Sequence, residues 1–211
     1  MPKYSSTSDV AVGGNKFLKA NDDGWFHMFV TASREGGVKH NGSPLDNAMF
    51  QITCEVLAAT KEDCIGKTWD TTVYYPKPGS KDGGAFQGKI VDRFLLAMAV
   101  YKLKQLLDSQ DRDFDADKDL VGRQFIVKLK TDKGSDDKEY IGVDGAHIYH
   151  PDDPAVADQP KNADYLKPAV LPAARRLTDD EKKQLVEMGK AKAKPPGPES
   201  VAAGGKSVAS I

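Results

Sequence analysis

The stretch from Ala48 to Tyr75 constrains the fold most, because it combines two strand patterns with a glycine turn between them. Alternate residues of the first pattern are apolar, which is the period expected of a strand with one buried face; they are Phe50, Ile52, Cys54, Val56 and Ala58. In the second pattern Trp69 and Val73 share one face, which favours a core position for Trp69. The stretch therefore predicts a curved antiparallel pair of strands.

Further strand patterns lie on both sides of this pair. WFHMFVTAS precedes it, and its expected inward residues are Phe26, Met28, Val30 and Ala32. LVGRQFIVKLK and EYIGV follow it, and apolar residues at helical spacing between Lys89 and Asp108 predict one helix before them. This order is that of an OB-fold. The predicted fold is therefore mainly β with one helix: a five-stranded antiparallel barrel with the helix between strands 3 and 4.

Composition divides the chain into five segments: a flexible N-terminal arm (1–23), an OB-fold-like domain (24–151), a proline-rich linker (152–177), a short helix (178–193) and a disordered tail (194–211). Thr178 is the expected N-cap of the short helix, and Glu181 completes a capping box. The aspartate-rich stretch 108–119 predicts an exposed linker, because it lacks the glycine and closing glutamate of a calcium loop. A chain ending near Asp158 is expected to keep its thermal stability.

Charge and cysteine content indicate the compartment. Residues 1–160 carry 20 basic against 25 acidic residues, whereas residues 161–211 carry 10 against 6, so an acidic body precedes a basic tail. Two cysteines fit a reducing compartment better than a disulfide framework. No stretch has the pattern of a signal peptide or a membrane span. We therefore expect a cytoplasmic protein without a membrane partner.

Three stretches resemble, in the same order, a family of phage-encoded proteins: CIGKTWDTTVYY, KIVDRFLLAMAVYKLKQLLD and DLVGRQFIVKLKTDKG. Members of this family are found beside recombinase or strand-annealing genes and are regarded as OB-fold single-stranded DNA-binding proteins. The resemblance covers about 130 residues between Trp25 and Pro154. It implies a DNA-binding protein of a bacterial or phage-infected cell, with no catalytic motif. The chain departs from many bacterial proteins of this function in its acidic body and in lacking an acidic C-terminal tail.

Binding of a single strand needs aromatic rings on which bases stack and cations for the phosphates. The strand faces opposite the predicted core and the flanking loops offer both. The candidate residues are Trp25, Phe29 and Tyr74 for stacking, Gln51, Thr53 and Thr72 for polar contacts, Lys128 and Lys130 for phosphate, and Lys39, His40, Lys77, Lys81 and Lys133 from the loops. In the alternative interpretation, Trp25 and Phe29 pack under the arm or the linker and the lysines are ordinary surface residues.

No motif predicts catalysis. His147 and His150 are three residues apart at a strand end, where that spacing puts them on opposite faces and argues against a metal site. GGKS at 204–207 lacks the first glycine and the preceding strand of a phosphate-binding loop. Neither cysteine has a motif partner, and no serine or threonine lies in a nucleophile elbow. We therefore expect neither an enzyme nor a bound metal or cofactor.

Two functions remain open. In the first, the protein coats single-stranded DNA during replication or recombination of a phage or mobile element, by stacking and charge with little sequence preference. In the second, a non-enzymatic accessory or inhibitor module docks on a recombinase, an annealing protein or a replication protein, and the acidic body favours this alternative. A continuous positive groove between Lys39, Lys77 and Lys128 would support the first, and a neutral apolar patch the second. The sequence leaves the oligomeric state open.

Overall fold

The described part of the chain contains five strands and four α-helices. A computed structural model describes residues 17–37, 43, 48–74, 85–108, 113–134 and 137–193. The strands are β1 (Gly24–Glu35), β2 (Ala48–Ala59), β3 (Thr68–Tyr74), β4 (Gln124–Lys133) and β5 (Glu139–Tyr149). The helices are α1 (Ala85–Ala97), α2 (Leu103–Asp108), α3 (Ala116–Asp119) and α4 (Asp179–Ala193).

The strands form one curved antiparallel sheet. Their order across the sheet is β3-β2-β1-β4-β5, so the long β1 lies at the centre. The sheet curls into a nearly closed barrel, and its two edge strands, β3 and β5, line opposite sides of the same groove. Because α1 follows β3 and precedes β4, the predicted OB-like arrangement is confirmed.

Aromatic and branched apolar residues fill the barrel. Phe94 of α1 joins the helix to the sheet, because its ring lies 6.3 Å from that of Phe50 and 5.4 Å from that of Phe125, both edge to face. Complete burial of a side chain of this size stabilises the fold by about 1.5–3 kcal/mol. Trp69 is 3% exposed, so its predicted core position is confirmed.

Two bulges change which residues face the core. A register shift between Val30 and Ala32 turns the end of β1, so Ala32 is exposed although the alternation predicted it to face inward. A second shift makes Leu57 the extra residue of β2. Leu57 and Ala59 are buried as a result, whereas Ala58, which was also expected to face inward, is only half-buried.

The helix predicted from Lys89 to Asp108 is in fact two helices. Ala99 has a φ of 52°, in the left-handed region that ends helices. The N–H of Val100 donates to the Leu95 carbonyl at 2.9 Å and that of Ala99 to the Leu96 carbonyl at 3.0 Å, the hydrogen bonds of a Schellman motif. Apolar periodicity continued through the break and concealed it, because alanine rather than glycine occupies the left-handed position.

The aspartate-rich stretch also differs from its prediction as an exposed linker. Phe114 packs on the core, with its ring 5.6 Å from that of Phe50, and Ala116 is fully buried. Asp115 caps α3 by accepting a hydrogen bond from the Lys118 N–H. The segment is therefore attached to the barrel through one aromatic ring and a short helix, and only residues 109–112 lie outside the described part.

Residues 152–177, predicted to be a linker, pack on the barrel instead. We call this segment the strap. Val156, Leu171 and Leu177 are buried, and three 3-10 turns shape the backbone at Pro154–Val156, Ala163–Leu166 and Ala173–Arg175. The prolines that indicated a linker thus lie among short turns rather than in a free chain. Apolar residues that are spaced too irregularly for a helix or strand can still be buried one by one.

Part of the predicted N-terminal arm is attached to the barrel. Leu18 is buried and donates its N–H to the Thr68 carbonyl at 2.8 Å, so the part of the predicted arm from residue 17 onward is attached to β3. Residues 1–16 and 194–211 lie outside the described part.

The predicted capping box of α4 is confirmed, since Glu181 N–H donates to Thr178 Oγ1 and Thr178 N–H donates to Glu181 Oε2. None of the helices in the described ranges is long and apolar enough to cross a bilayer.

Candidate nucleic-acid interface

Three rings lie together on the outer surface of β1 and β5. Trp25 stacks on His147, with ring centres 6.0 Å apart and an interplanar angle of 27°, and Tyr149 lies 6.0 Å from the same indole. The Arg93 guanidinium lies 5.9 Å from the centre of the Tyr149 ring. Trp25, His147 and Tyr149, called here the Trp25 cluster, form an aromatic surface, and all three rings are half-buried.

Each predicted lysine in the described part of the chain is paired with an aspartate. Lys128, which lies opposite Trp25 on β4, binds Asp144 at 2.8 Å, and Lys130 binds Asp132 at 3.1 Å. Lys133 binds Asp137 at 2.9 Å. The ammonium of Lys128 holds the pKa of Asp144 below its usual range. Exposed pairs of this kind contribute little to stability, so they can be exchanged for phosphate. Among the described residues of this face, however, the paired lysines do not form a positive groove.

The middle of the predicted aromatic face is covered by the strap. The ring of Phe29 meets that of Tyr165 edge to face, 5.3 Å away. Beside it His27 is fully buried, and its Nδ1 accepts the Asn162 N–H at 3.0 Å. Phe29 therefore packs under the predicted linker, as in the alternative interpretation, and its ring is not an open platform for a base.

Two buried histidines, both with uncharged rings, hold the strap against the barrel. The Nε2 of His27 donates to Gln124 Oε1 at 2.8 Å, and the Gln124 amide donates to the Tyr165 carbonyl at 2.9 Å. In the same way His150 accepts the Asp152 N–H at Nδ1 and donates from Nε2 to the Arg175 carbonyl. Burial lowers the pKa of each imidazole to about 4. Both rings are consequently uncharged near pH 7.

At the opposite end of β1 a row of polar side chains crosses the outer surface of β2 and β3. Gln51 lies opposite Arg34 on one side and Thr72 on the other, and its amide oxygen accepts from the Arg34 guanidinium, with Nε at 2.9 Å. Thr53 follows two residues along β2, and Tyr74, 46% exposed, follows two residues along β3. The structure thus brings four predicted residues together and adds Arg34. Nine residues of β1, or about 30 Å, separate this row from the Trp25 cluster.

A groove continues this row past the edge of β3. Its volume is about 310 Å³, and β3, α1 and β5 line it at the point where the barrel is not closed. Phe86, 53% exposed, and Tyr74 present rings along it, and Thr71 and Thr72 also line it. The Oε1 of Gln87 is buried here and has no hydrogen-bond partner among the residues that the structure describes. The groove therefore combines exposed aromatic rings with an acceptor that can receive a ligand's N–H or O–H.

Sequence reasoning missed two residues of this surface and named four that cannot be placed. Arg34 directly follows WFHMFVTAS, where the predicted first strand ended. Phe86 lies in a glycine-rich and lysine-rich stretch, where only its aromatic character could have indicated it. Four of the predicted residues lie outside the described part of the chain: Lys39, His40, Lys77 and Lys81. In sequence, the first two lie between β1 and β2, and the other two between β3 and α1.

One cluster elsewhere has metal-ligating side chains. The ligand atoms of Asp22, Asp63 and Cys64 lie within 4.8 Å of one another. The Lys67 ammonium lies among them, 3.1 Å from Asp22, 3.5 Å from Asp63 and 3.7 Å from the Cys64 sulfur. Burial raises the pKa of the Cys64 thiol, which keeps it protonated and a weak ligand. The lysine already supplies the positive charge that a metal ion would bring.

Comparison of the whole chain with models of protein families, with curated proteins and with solved structures gives no match in any of the three.

Proposed function

We propose that the protein binds single-stranded DNA with little sequence preference, in the replication or recombination of a phage or mobile element. The observation that carries the proposal is the surface formed by the polar row and the groove beside β3. Two exposed rings, Tyr74 and Phe86, flank it, and Arg34, Gln51 and Thr72 adjoin it. OB-folds that bind single strands use such a combination of stacking rings and polar side chains on the barrel surface. The resemblance of the sequence to phage-encoded proteins points in the same direction.

Each part of this surface has a task that follows from its chemistry. The faces of Tyr74 and Phe86 accept bases by stacking, which is worth about 1–3 kcal/mol per base and tolerates any base. The planar guanidinium of Arg34 suits a phosphate or a further base, and Gln51 already holds its orientation. Hydrogen bonds from Thr72 and Gln51 reach sugar and phosphate oxygens without reading sequence.

The Trp25 cluster is a second contact surface in this proposal. The neighbouring lysines of β4 contact phosphate only by leaving their aspartates, since Lys128 and Lys130 are both within 4 Å of Asp144. An exchange of this kind lowers the number of ions released on binding, because the freed aspartate attracts a cation from solution. The polar row and the groove are therefore expected to supply more of the affinity than the lysine side of the barrel.

Fluorescence anisotropy of labelled oligo-dT tests the proposal at low salt. The Tyr74→Ala and Phe86→Ala variants should each weaken binding by about 1–3 kcal/mol, or roughly five- to 150-fold. Tyr74→Phe should bind almost as well as the unchanged chain, whereas Tyr74→Leu should not, because leucine retains apolar area but has no aromatic face.

Ile65→Ala is the matched control. Ile65 is 50% exposed, like the two rings, but follows the turn that precedes β3, at the end of that strand remote from Tyr74. Its removal should leave the affinity unchanged. Absence of oligo-dT binding by the unchanged chain at micromolar concentration, or an equal loss in all variants, would contradict the proposal.

A specific observation also favours docking on a protein. Apolar side chains are exposed along α2 and α4, with Leu107 at 65% and Val186 and Met188 at 37% each. A neutral apolar surface of this kind is the feature expected of an accessory module that docks on a replication or recombination protein. If oligo-dT does not bind, the Leu107→Glu variant decides this candidate, because it should abolish binding to such a protein without lowering the Tm.

A further inference from the structure

A cavity of about 330 Å³ lies between α1, α2, α4 and the first turn of the strap. Leucine side chains and Met188 form most of its wall, and the leucines that matter here are Leu96, Leu103 and Leu185. Its volume is roughly that of ten water molecules in the liquid. A cavity of this size with an apolar wall and few polar groups is typical of a site for a small ligand or for a side chain with its neighbours.

The deepest polar group in the cavity wall is the carboxyl of Asp153. Asp153 is 6% exposed, and its Oδ1 accepts the Ala155 N–H at 2.8 Å. In the described part of the chain no lysine, arginine or histidine forms an ion pair with it. Burial raises its pKa, which reflects the cost of holding this charge away from water. The charges of Arg93 and Lys161 act on it from beyond ion-pair distance and offset that cost only in part, so the carboxylate can still accept a cation or a hydrogen-bond donor.

Among the described residues, the positive groups at the rim form no ion pair with Asp153. Lys89 lines the cavity but is exposed, so water solvates its ammonium. Arg93 lies against the Tyr149 ring, 5.9 Å from its centre. Asp153 is therefore the most buried charged residue of the wall, whereas Lys89 is exposed and Asp92 and Arg93 are half-buried.

We propose that this cavity binds an amphiphilic cation, which places an alkyl or aryl group against the leucines and Met188 and an amine or guanidinium at Asp153. The apolar part gains from leaving water, and the charged end makes a charge-assisted hydrogen bond to a carboxylate that has no ion-pair partner among the described residues. The site is separate from the groove beside β3, and the inference does not depend on the proposed DNA binding.

The test compares three probes of equal chain length on the full protein at pH 8: n-octylammonium, n-octanol and n-octanoate. Binding is measured by the change in amide signals in NMR spectra, with those of Ala155 and Gly189 as reporters of the cavity. Octylammonium should bind about tenfold more tightly than octanol or better, as expected for a hydrogen bond to a charged group. Octanoate should bind more weakly than octanol, because its carboxylate meets that of Asp153.

The Asp153→Asn variant removes the negative charge of the cavity while keeping the hydrogen bond that caps the turn. Asparagine can cap the turn at Ala155 as aspartate does, so the variant should fold and bind octanol unchanged, while the preference for octylammonium disappears. Asp92→Asn, at the half-exposed rim, should keep that preference. Met188→Glu should weaken octanol binding. Equal affinity for all three probes, tightest binding of octanoate, an unchanged preference in Asp153→Asn, or no binding at millimolar concentration would overturn the proposal.

Discussion

Protonation of His27 should destabilise the fold as the pH falls below neutrality. Burial lowers the pKa of this imidazole to about 4, from an ordinary value of 6.5. Between these values the unfolded chain binds a proton that the folded chain does not. The stability that depends on the neutral ring is therefore complete above about pH 6.5 and is lost as the pH falls toward 4. The structural cause is Nδ1, which accepts the Asn162 N–H and cannot do so once it is protonated.

The magnitude follows from the two pKa values. Their difference is about 2.5 units, and each unit corresponds to about 1.4 kcal/mol. His27 should accordingly change the free energy of unfolding by about 3 kcal/mol between pH 8 and pH 4, and by about 2 kcal/mol between pH 8 and pH 5. In a chain of this length 1 kcal/mol shifts the Tm by about 2–4 °C, so the shift at pH 5 is about 4–8 °C.

Urea unfolding of the unchanged chain and of His27→Gln, followed by circular dichroism between pH 5 and pH 8, measures this effect. At pH 8 the variant should be less stable by about 1–3 kcal/mol, because glutamine cannot satisfy both Asn162 and Gln124. This difference should shrink by about 2 kcal/mol at pH 5. Asp153, whose raised pKa has the opposite effect on the pH dependence, is present in both chains and cancels in the comparison.

His147→Gln provides the control. His147 is half-buried on the outer surface, so the variant should keep most of the pH dependence of the unchanged chain. Parallel stability curves for the unchanged chain and His27→Gln would refute the reasoning, because they would mean that His27 binds protons equally well in the folded and unfolded states.

Two further predictions concern the strap and the lysines. A chain ending at Asp158 should lose about 10 °C in Tm, because the buried Leu171 and Leu177 are removed, whereas one ending at Ala193 should not; equal melting temperatures would contradict this. Replacing Lys128 and Lys130 by Gln should flatten the dependence of log Kd for oligo-dT on log salt by less than about one unit, since both lysines are already paired with aspartates. A change of two units would refute that.

The barrel could be predicted from the sequence because the information that determines it is local. Alternation within each strand identifies a buried face, and the glycine turn after Cys64 and the one before Arg123 mark where β3 and β4 begin. The strand order then follows from the usual pairing of this topology. The helix boundaries were harder to predict, because Ala99 adopts a left-handed conformation that its side chain does not indicate.

The strap could not be predicted from local patterns. Its contacts join residues far apart in the chain, such as Asn162 with His27 and Arg175 with His150. Irregular spacing of the apolar residues gives no period that marks a buried face, and prolines are as compatible with packed turns as with a free linker. Only the number of apolar residues in the segment, Leu171 and Leu177 among them, could have indicated that it is buried.

The outer face of β1 shows that a sequence pattern does not reveal what covers a strand. Trp25, His27 and Phe29 alternate on one face of β1, and such a face has the same sequence pattern whether water, nucleic acid or the chain itself covers it. The histidine in the middle is the informative residue, because a fully buried imidazole requires partners for both nitrogens. A solvent-exposed stacking surface would not provide them. Here the strap supplies one partner, the Asn162 N–H, and β4 supplies the other, Gln124, whose amide donates to the Tyr165 carbonyl of the strap. The covered part of the face therefore belongs to the fold, and the surface available to a ligand moves to the two ends of β1.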